Sequence, residues 1–267
     1  MDRMTRIEQK EVLIELLRYF DDKCRTHQIE YSMFSGSLIG AIRHKGMIPW
    51  DDDIDVIVML KDYDKIKDIF QDADCPYKLY SADTIDGYFN PYLKLVDTRT
   101  RVVETEMVSR VENMGLFIDI FAYSFIPENS VLRRLKYNLI NIIDKCMYIT
   151  KPDRSLPIHK RIIRSSKNWV NKIVGYRKLL KLHDLLFRTE RTNGTFVMYN
   201  WPVYGYEKDI QRTENITEFV DGEFEGITVR IFKNYDKVLK TTFGDFMALP
   251  PVEKRRNHNI EAYRLTD

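Results

Sequence analysis

The chain has 267 residues, enough for one large domain or two small ones. With 44% hydrophobic and 31% charged residues and a formal net charge of +2, its composition is that of an ordinary globular protein. No apolar run reaches the length of a transmembrane helix, and the N-terminal MDRMTRIEQKEV lacks the apolar region of a signal peptide.

In chain order, Thr5–His27 reads as an amphipathic helix. Thr5 and Glu8 fit a capping box, and Val12, Leu13, Leu16, Leu17, Phe20 and Cys24 recur at helical spacing as its buried stripe. Tyr31–Phe34 reads as a buried strand. Gly36 and Ser37 then permit a tight turn into Leu38–Ile42, the first turns of a helix. Arg43, His44 and Lys45 follow, before Gly46 and Pro49 break the helix. Asp51, Asp52, Asp53 and Asp55 lead into a strand-like run, Val56–Leu60. Lys61–Ala73 reads as a helix with Tyr63, Ile66, Ile69 and Phe70 inward, and Tyr77–Ser81 and Tyr92–Asp97 as short strands. Arg101–Val108 has the composition of a further strand, and Gly115–Phe125 is strongly strand-like. Ser130–Thr150 reads as a helix with Leu132, Leu135, Leu139, Ile142, Ile143 and Cys146 on one side. Ile158–Val174 and Arg177–Thr189 read as two helices broken at Gly175. Their core stripes would be Ile162, Ile163, Trp169 and Ile173, then Leu179, Leu182, Leu185 and Leu186. Gly194–Trp201 and Phe224–Phe232 read as strands, Tyr235–Phe243 as a short helix, and the proline-containing tail as irregular. The simplest architecture is α/β, a mixed core to about residue 126 followed by a helical insertion and a small C-terminal lobe. There is no internal repeat or flexible linker.

The aspartates carry the chemical signal. On a strand, residues i and i+2 face one side, so Asp53 and Asp55 would hold two carboxylates together at a desolvation cost. A divalent cation removes that cost, and an all-oxygen set suits Mg²⁺. The alternative is a solvated acidic turn. Asp119 lies inside the apolar run Gly115–Phe125, where an ionised carboxylate needs a partner. A salt bridge to a core Arg, a helix cap or a third place at the same metal would each supply one. Asp51 is a further candidate ligand, and the residues leave open whether Asp51 or Asp119 completes the set. Carboxylates around Mg²⁺ at a strand end suit phosphoryl-type transfer. Gly36 and Ser37 would then hold phosphate oxygens, and Arg43, His44 and Lys45 would either add cations there or balance the aspartates.

Residues 151–181 hold ten Lys/Arg and one acid, Asp153. This is either a solvated helical face or a surface for phosphate-rich acceptors or an anionic membrane. Nucleic acid is not an expected partner, since the basic patch is local and no recognised motif accompanies it. Cys24, Cys75 and Cys146 are odd in number and far apart. They fit neither a disulfide framework nor a zinc site, so the expected location is cytoplasmic, with any membrane contact on the cytoplasmic face.

Gly-Ser followed by Asp-x-Asp on the next strand resembles the signature of polymerase-beta-like nucleotidyltransferases. The longer string GSLIGAIRHKGMIPWDDDID resembles the LicD-type phosphotransferase family, which includes bacterial phosphocholine transferases and the animal fukutin group. FEG, NYDKVL and FGDFMALPPVEKR resemble the C-terminal part of that family. His258-Asn259 stands where the family often has paired histidines. The resemblance implies a nucleotidyltransferase-like catalytic core over residues 1–126, with a basic helical region and C-terminal lobe, 127–267, packed on it. It implies a third acid from a later strand, which points to Asp119, and it places Lys94 in a Lys-x-x-Asp with Asp97 as a nucleotide-phosphate contact. The implied activity is Mg²⁺-dependent transfer of a phospho-alcohol, such as phosphocholine, from a CDP-alcohol donor. The implied acceptor is a hydroxyl of a cell-surface glycan or lipid-linked glycan precursor, and CMP is released. Composition and spacing alone do not separate this from a small-molecule nucleotidyltransferase releasing pyrophosphate, or from a non-catalytic nucleotide-binding module, although the costly acids argue against the last.

Overall fold

Residues 1–72, 74–103, 111, 114–148, 155–188, 192–255 and 260–265 are described by a computed structural model. The first half runs β1 (Asp2–Arg3), α1 (Arg6–Thr26), β2 (Tyr31–Met33), α2 (Ser35–Ile39), β3 (Asp55–Met59), α3 (Leu60–Ile69), β4 (Tyr77–Tyr80), β5 (Leu93–Asp97), β6 (Thr100–Val103) and β7 (Leu116–Phe125). The helices α4 (Ser130–Met147), α5 (Ile158–Val174) and α6 (Tyr176–Phe187) follow. The chain closes with β8 (Phe196–Tyr199), α7 (Tyr206–Asp209), β9 (Ile210–Arg212), β10 (Phe219–Phe224), β11 (Ile227–Phe232), α8 (Tyr235–Phe243) and β12 (Glu261–Arg264).

The fold is α/β, built on a mixed sheet in the order β2-β3-β7-β5-β4. The centre is β7, ten residues long and buried throughout, as its near-continuous apolar sequence requires. It pairs parallel with β3 on one side. On the other side β5 covers its first half and β8 its last three residues, both antiparallel. Because β8 and β9 extend this sheet, it runs across the division expected at residue 126. The capping box forms as expected. The Glu8 backbone amide donates to Thr5 Oγ1 at 3.3 Å, and the Thr5 amide donates to Glu8 Oε2 at 2.7 Å. All six residues of the α1 stripe are buried, as are Tyr63, Ile66 and Phe70 after β3.

Several expectations change. The expected strand Phe224–Phe232 begins later, as β11 at Ile227, because Phe224 ends β10 and Glu225-Gly226, both at positive φ (50° and 73°), make the tight two-residue turn of the β10–β11 hairpin. The tail is not wholly irregular, because β12 pairs antiparallel with both β1 and β6. The expected strand Arg101–Val108 is described only to Val103, and residues 104–108, like His258-Asn259, lie outside the described residues.

The largest correction concerns the three basic helices. Their stripes were expected in the core, yet Leu132, Leu135, Leu139 and Ile142 of α4, Ile162, Ile163, Trp169 and Ile173 of α5, and Leu182 and Leu185 of α6 are exposed. From the expected stripes, Ile143 and Cys146 of α4 and Leu179 of α6 are buried, and α4 covers Tyr137, Ile140 and Met147 beside its two. A small cluster of Ile143, Cys146, Met147, Leu179 and Leu180 joins α4 to α6. α5 has one buried residue, Asn171, which holds it by donating to the carbonyls of Cys146 and Met147 at 2.7 and 2.8 Å. A polar pin at the end of α4 does the docking that the apolar stripe was expected to do.

Candidate active site

The site forms where β3, β5 and β7 lie side by side. Strand register places Asp55 opposite Asp119 and Asp119 opposite Lys94, so three charged residues cross the sheet at one level. The Asp119 backbone amide donates to the Ile54 carbonyl at 2.9 Å, which fixes the segment carrying Asp51–Asp53 beside the start of β7. These residues open onto a cavity of about 500 Å³ lined by Asp51, Asp53, Asp55, Asp119, Lys94 and Gly36 among others. The carboxylate oxygens of Asp51, Asp52 and Asp53 lie within 4.8 Å of one another. Lys94 Nζ donates to Asp119 Oδ1 at 2.6 Å, and both side chains are almost wholly buried. The ammonium also sits 3.3 Å above the Phe117 ring.

The electrostatics suit a cation. The Asp55 carboxyl is pushed well above the usual range, first by burial and then by the charges of Asp53, Asp119 and Asp51, with Lys94 opposing. Among the described residues, four carboxylates and one ammonium line the cavity. An all-oxygen donor set with excess negative charge fits Mg²⁺, and the closely grouped oxygens of Asp51 to Asp53 fit it too.

Gly36 lines the cavity, where a Cβ would sit 2.8 Å from Asp51 Oδ2, so the close approach of α2 to the acidic segment needs glycine. Ser37 was expected at the phosphate but is buried off the cavity wall, its Oγ accepting from the Asp55 amide at 2.9 Å. It holds β3 to α2 instead. The residue that faces the cavity is Ser35, missed in the sequence. Its φ of 49° is a strained value for a non-glycine residue, and its hydroxyl bonds the Tyr204 hydroxyl.

Arg43, His44 and Lys45 also lie off the cavity, in and just after a π-helical turn, Gly40–His44, that ends α2. Arg43 Nη1 donates to the carbonyls of Phe246 and Ala248 at 2.6 and 3.2 Å. His44 packs edge-on to Trp50, and Lys45, at φ 57°, accepts from the Glu225 amide through its carbonyl. The knot therefore ties the hairpin and the C-terminal segment to the core. The same cavity is lined by aromatic rings that the sequence did not advertise: Tyr92, Phe117, Phe121, Tyr148, Trp201 and Tyr204. Phe121 stacks on Trp201 with centroids 5.5 Å apart, and Tyr92 sits 4.5 Å from Phe121. A second cavity, about 510 Å³ between α3 and α6, shares only Tyr92 with the first. Its carboxylates are tied into ion pairs, Asp83 with Lys67, Asp86 with Arg177 and Asp184 with Arg188.

Residues 28–138, which carry Gly36, the aspartates and Asp119, match the family model described as LicD/FKTN/FKRP, nucleotidyltransferase domain. Over 99% of its length this chain is 31% identical to the lipopolysaccharide cholinephosphotransferase LicD of Haemophilus influenzae, all of which is covered. The chain belongs to the LicD family. It is an enzyme, a transferase of phosphorus-containing groups. Shorter matches join this LicD-family chain to uncharacterised proteins of Rickettsia typhi and Rickettsia prowazekii. They are 39% identical over 59 residues and 40% identical over 50, about a fifth of each chain.

Proposed function

We propose that the chain moves phosphocholine, or a closely related phospho-alcohol, from a CDP-alcohol donor to a hydroxyl of a cell-surface glycan or glycolipid precursor. The observation that carries this reading is a cavity lined both by carboxylates and by aromatic rings. The first suits a metal-bound diphosphate, and the second suits a quaternary ammonium, which aromatic faces attract without a hydrogen bond. The relative named as a lipopolysaccharide cholinephosphotransferase supports phosphocholine as the group moved and a glycolipid as the acceptor.

Asp51, Asp53 and Asp55 would hold Mg²⁺, with Asp119 beside them. When bound, the metal would neutralise these carboxylates and the charge that builds on phosphate oxygens. Gly36, which has no side chain in the way, and the Ser35 hydroxyl would position the diphosphate. The acceptor oxygen forms its bond to the choline-bearing phosphorus as the bond from that phosphorus to CMP breaks. Asp119, oriented by Lys94, takes the hydroxyl proton, and CMP leaves with the electron pair. Nucleotide transfer with loss of pyrophosphate would use the same acids but gives the aromatic rings no role.

A thermal-shift screen against CDP-choline, CDP-ribitol, CDP-glycerol, CTP and ATP, each with and without Mg²⁺, tests the donor. The expected result is Mg²⁺-dependent stabilisation by CDP-choline above the others. Stabilisation by a nucleoside triphosphate alone would replace this reading with the nucleotidyltransferase.

A further inference from the structure

α5 is a helix without a core. Its seventeen residues include Lys160, Arg161, Arg164, Lys167 and Lys172 and no acid, and only Asn171 is buried. Ile158, Ile162, Trp169 and Ile173 are exposed by 73%, 63%, 64% and 60%. At about 100° per residue the spacings of four, seven and four put all four on one face, within roughly 60° of one another. Arg161 and Lys172 fall along one border of that stripe. The neighbouring helices repeat the pattern. Val131, Leu135, Leu139 and Ile142 of α4 are exposed at successive turns, and so are Leu182 and Leu185 of α6, the helix that also carries Arg177, Lys178 and Lys181. Monomeric proteins seldom leave so much large apolar side chain in water without an occupant for it.

The charge says which occupant. A second copy of the chain would bring another acid-free cationic helix to the same place, and like charges would oppose the pairing. A lipid surface with anionic headgroups offers phosphate to the cations and an acyl boundary to the stripe. No helix among the described residues is long and apolar enough to cross a membrane, so such a helix would lie on the surface rather than span it. We propose that α5, with the exposed faces of α4 and α6, is a docking surface for an anionic lipid bilayer, with Ile158, Ile162, Trp169 and Ile173 inserted at the headgroup–acyl boundary. This placement is independent of the reaction assigned above, although a lipid-linked acceptor would be presented at the same surface.

The test is co-sedimentation of the full chain with vesicles, in the absence of nucleotide and acceptor, so that its outcome is separate from that of any donor assay. Vesicles of equal parts phosphatidylcholine and phosphatidylglycerol are compared with phosphatidylcholine alone. Binding to the mixed vesicles should be at least about tenfold stronger and should weaken at high salt. Trp169 emission should shift to the blue on binding, and this change should vanish in Trp169→Phe. The triple variant Ile162→Ser, Trp169→Ser, Ile173→Ser should lose at least about tenfold in binding, since it removes most of the insertable apolar area. These side chains are exposed, so its circular dichroism and melting temperature should match the parent. A second variant, Lys160→Glu with Arg164→Glu and Lys167→Glu, should abolish the preference for anionic vesicles. Folded protein that ignores anionic vesicles would overturn the proposal. So would a dimer by light scattering that the triple serine variant converts to monomer, because a second copy would then be the occupant.

Discussion

Asp55 sits at the first position of β3, half enclosed by apolar strands, with Asp53, Asp51 and Asp119 as its charged neighbours and the Lys94 cation opposing them. Its carboxylate form is disfavoured by burial and by those charges, so the metal-free protein carries a local cost that a divalent ion would remove. Asp55→Asn should therefore raise the melting temperature of the metal-free protein while lowering transfer by at least about 100-fold. Asp53→Asn should lower transfer to a similar degree. Near-normal turnover in either variant, measured by CMP release, would remove these residues from the site. Arg43 belongs to a different class of residue, since its guanidinium is spent on the carbonyls of Phe246 and Ala248. Arg43→Ala should destabilise the fold by about 1–3 kcal/mol through lost charged hydrogen bonds, with donor affinity unchanged. Denaturant melts and donor titration of the same variant separate the two effects, and a fall in donor affinity at unchanged stability would return Arg43 to the cavity. Spacing put Arg43 close to four aspartates in sequence, and nothing in one dimension reveals that its side chain reaches across to residues more than two hundred positions away. Ser35 escaped notice for a related reason: which of two serines around a glycine faces the cavity depends on one positive φ.

At the scale of single elements, α4 holds another buried acid, Asp144, whose Oδ1 has no hydrogen-bond partner among the described residues. Burial pushes its carboxyl up to about 8, with Lys145 opposing weakly. A raised carboxyl keeps its proton in the folded state while the unfolded chain releases it. The stability from this group is complete below about pH 4, and is lost as pH rises toward and through 8. Asp144→Asn should therefore gain stability over the parent progressively between about pH 4 and pH 8, by at most about 1.4 kcal/mol per pH unit, and level off above. Melting curves across that range check it, and a constant difference would show that Asp144 ionises normally. The elements themselves were legible to very different degrees. α1 was readable to the residue because one face packs on the sheet and the other meets water, which is what helical periodicity reports. The same periodicity in α4 to α6 was real, but it reports only that a helix has an apolar face and not what covers it. β1 and β12 are two and four residues long, too short for any period, and exist because they pair with each other and β12 also pairs with β6.

For the whole molecule, the sheet gathers parts of the chain that sequence order separates. β3, β5, β7 and the segment before β3 supply the carboxylates and Lys94, and the segment after β8 supplies Trp201 and Tyr204 to the same cavity. The acidic half of the site was visible in the sequence because it lies in one short string plus one anomalous aspartate in an apolar strand. The aromatic half was not, since its rings come from four distant segments and each reads locally as ordinary core. If the two halves form one donor site, the chemistry that follows is specific. The most direct measurement is phosphorus NMR of the enzyme with CDP-choline, Mg²⁺ and a lipopolysaccharide acceptor. The result predicted is loss of the diphosphate signals, growth of CMP in equal amount, and a new phosphodiester on the acceptor, all absent in Asp53→Asn. Intact CDP-choline beside an active enzyme that instead turns CTP into pyrophosphate would contradict it.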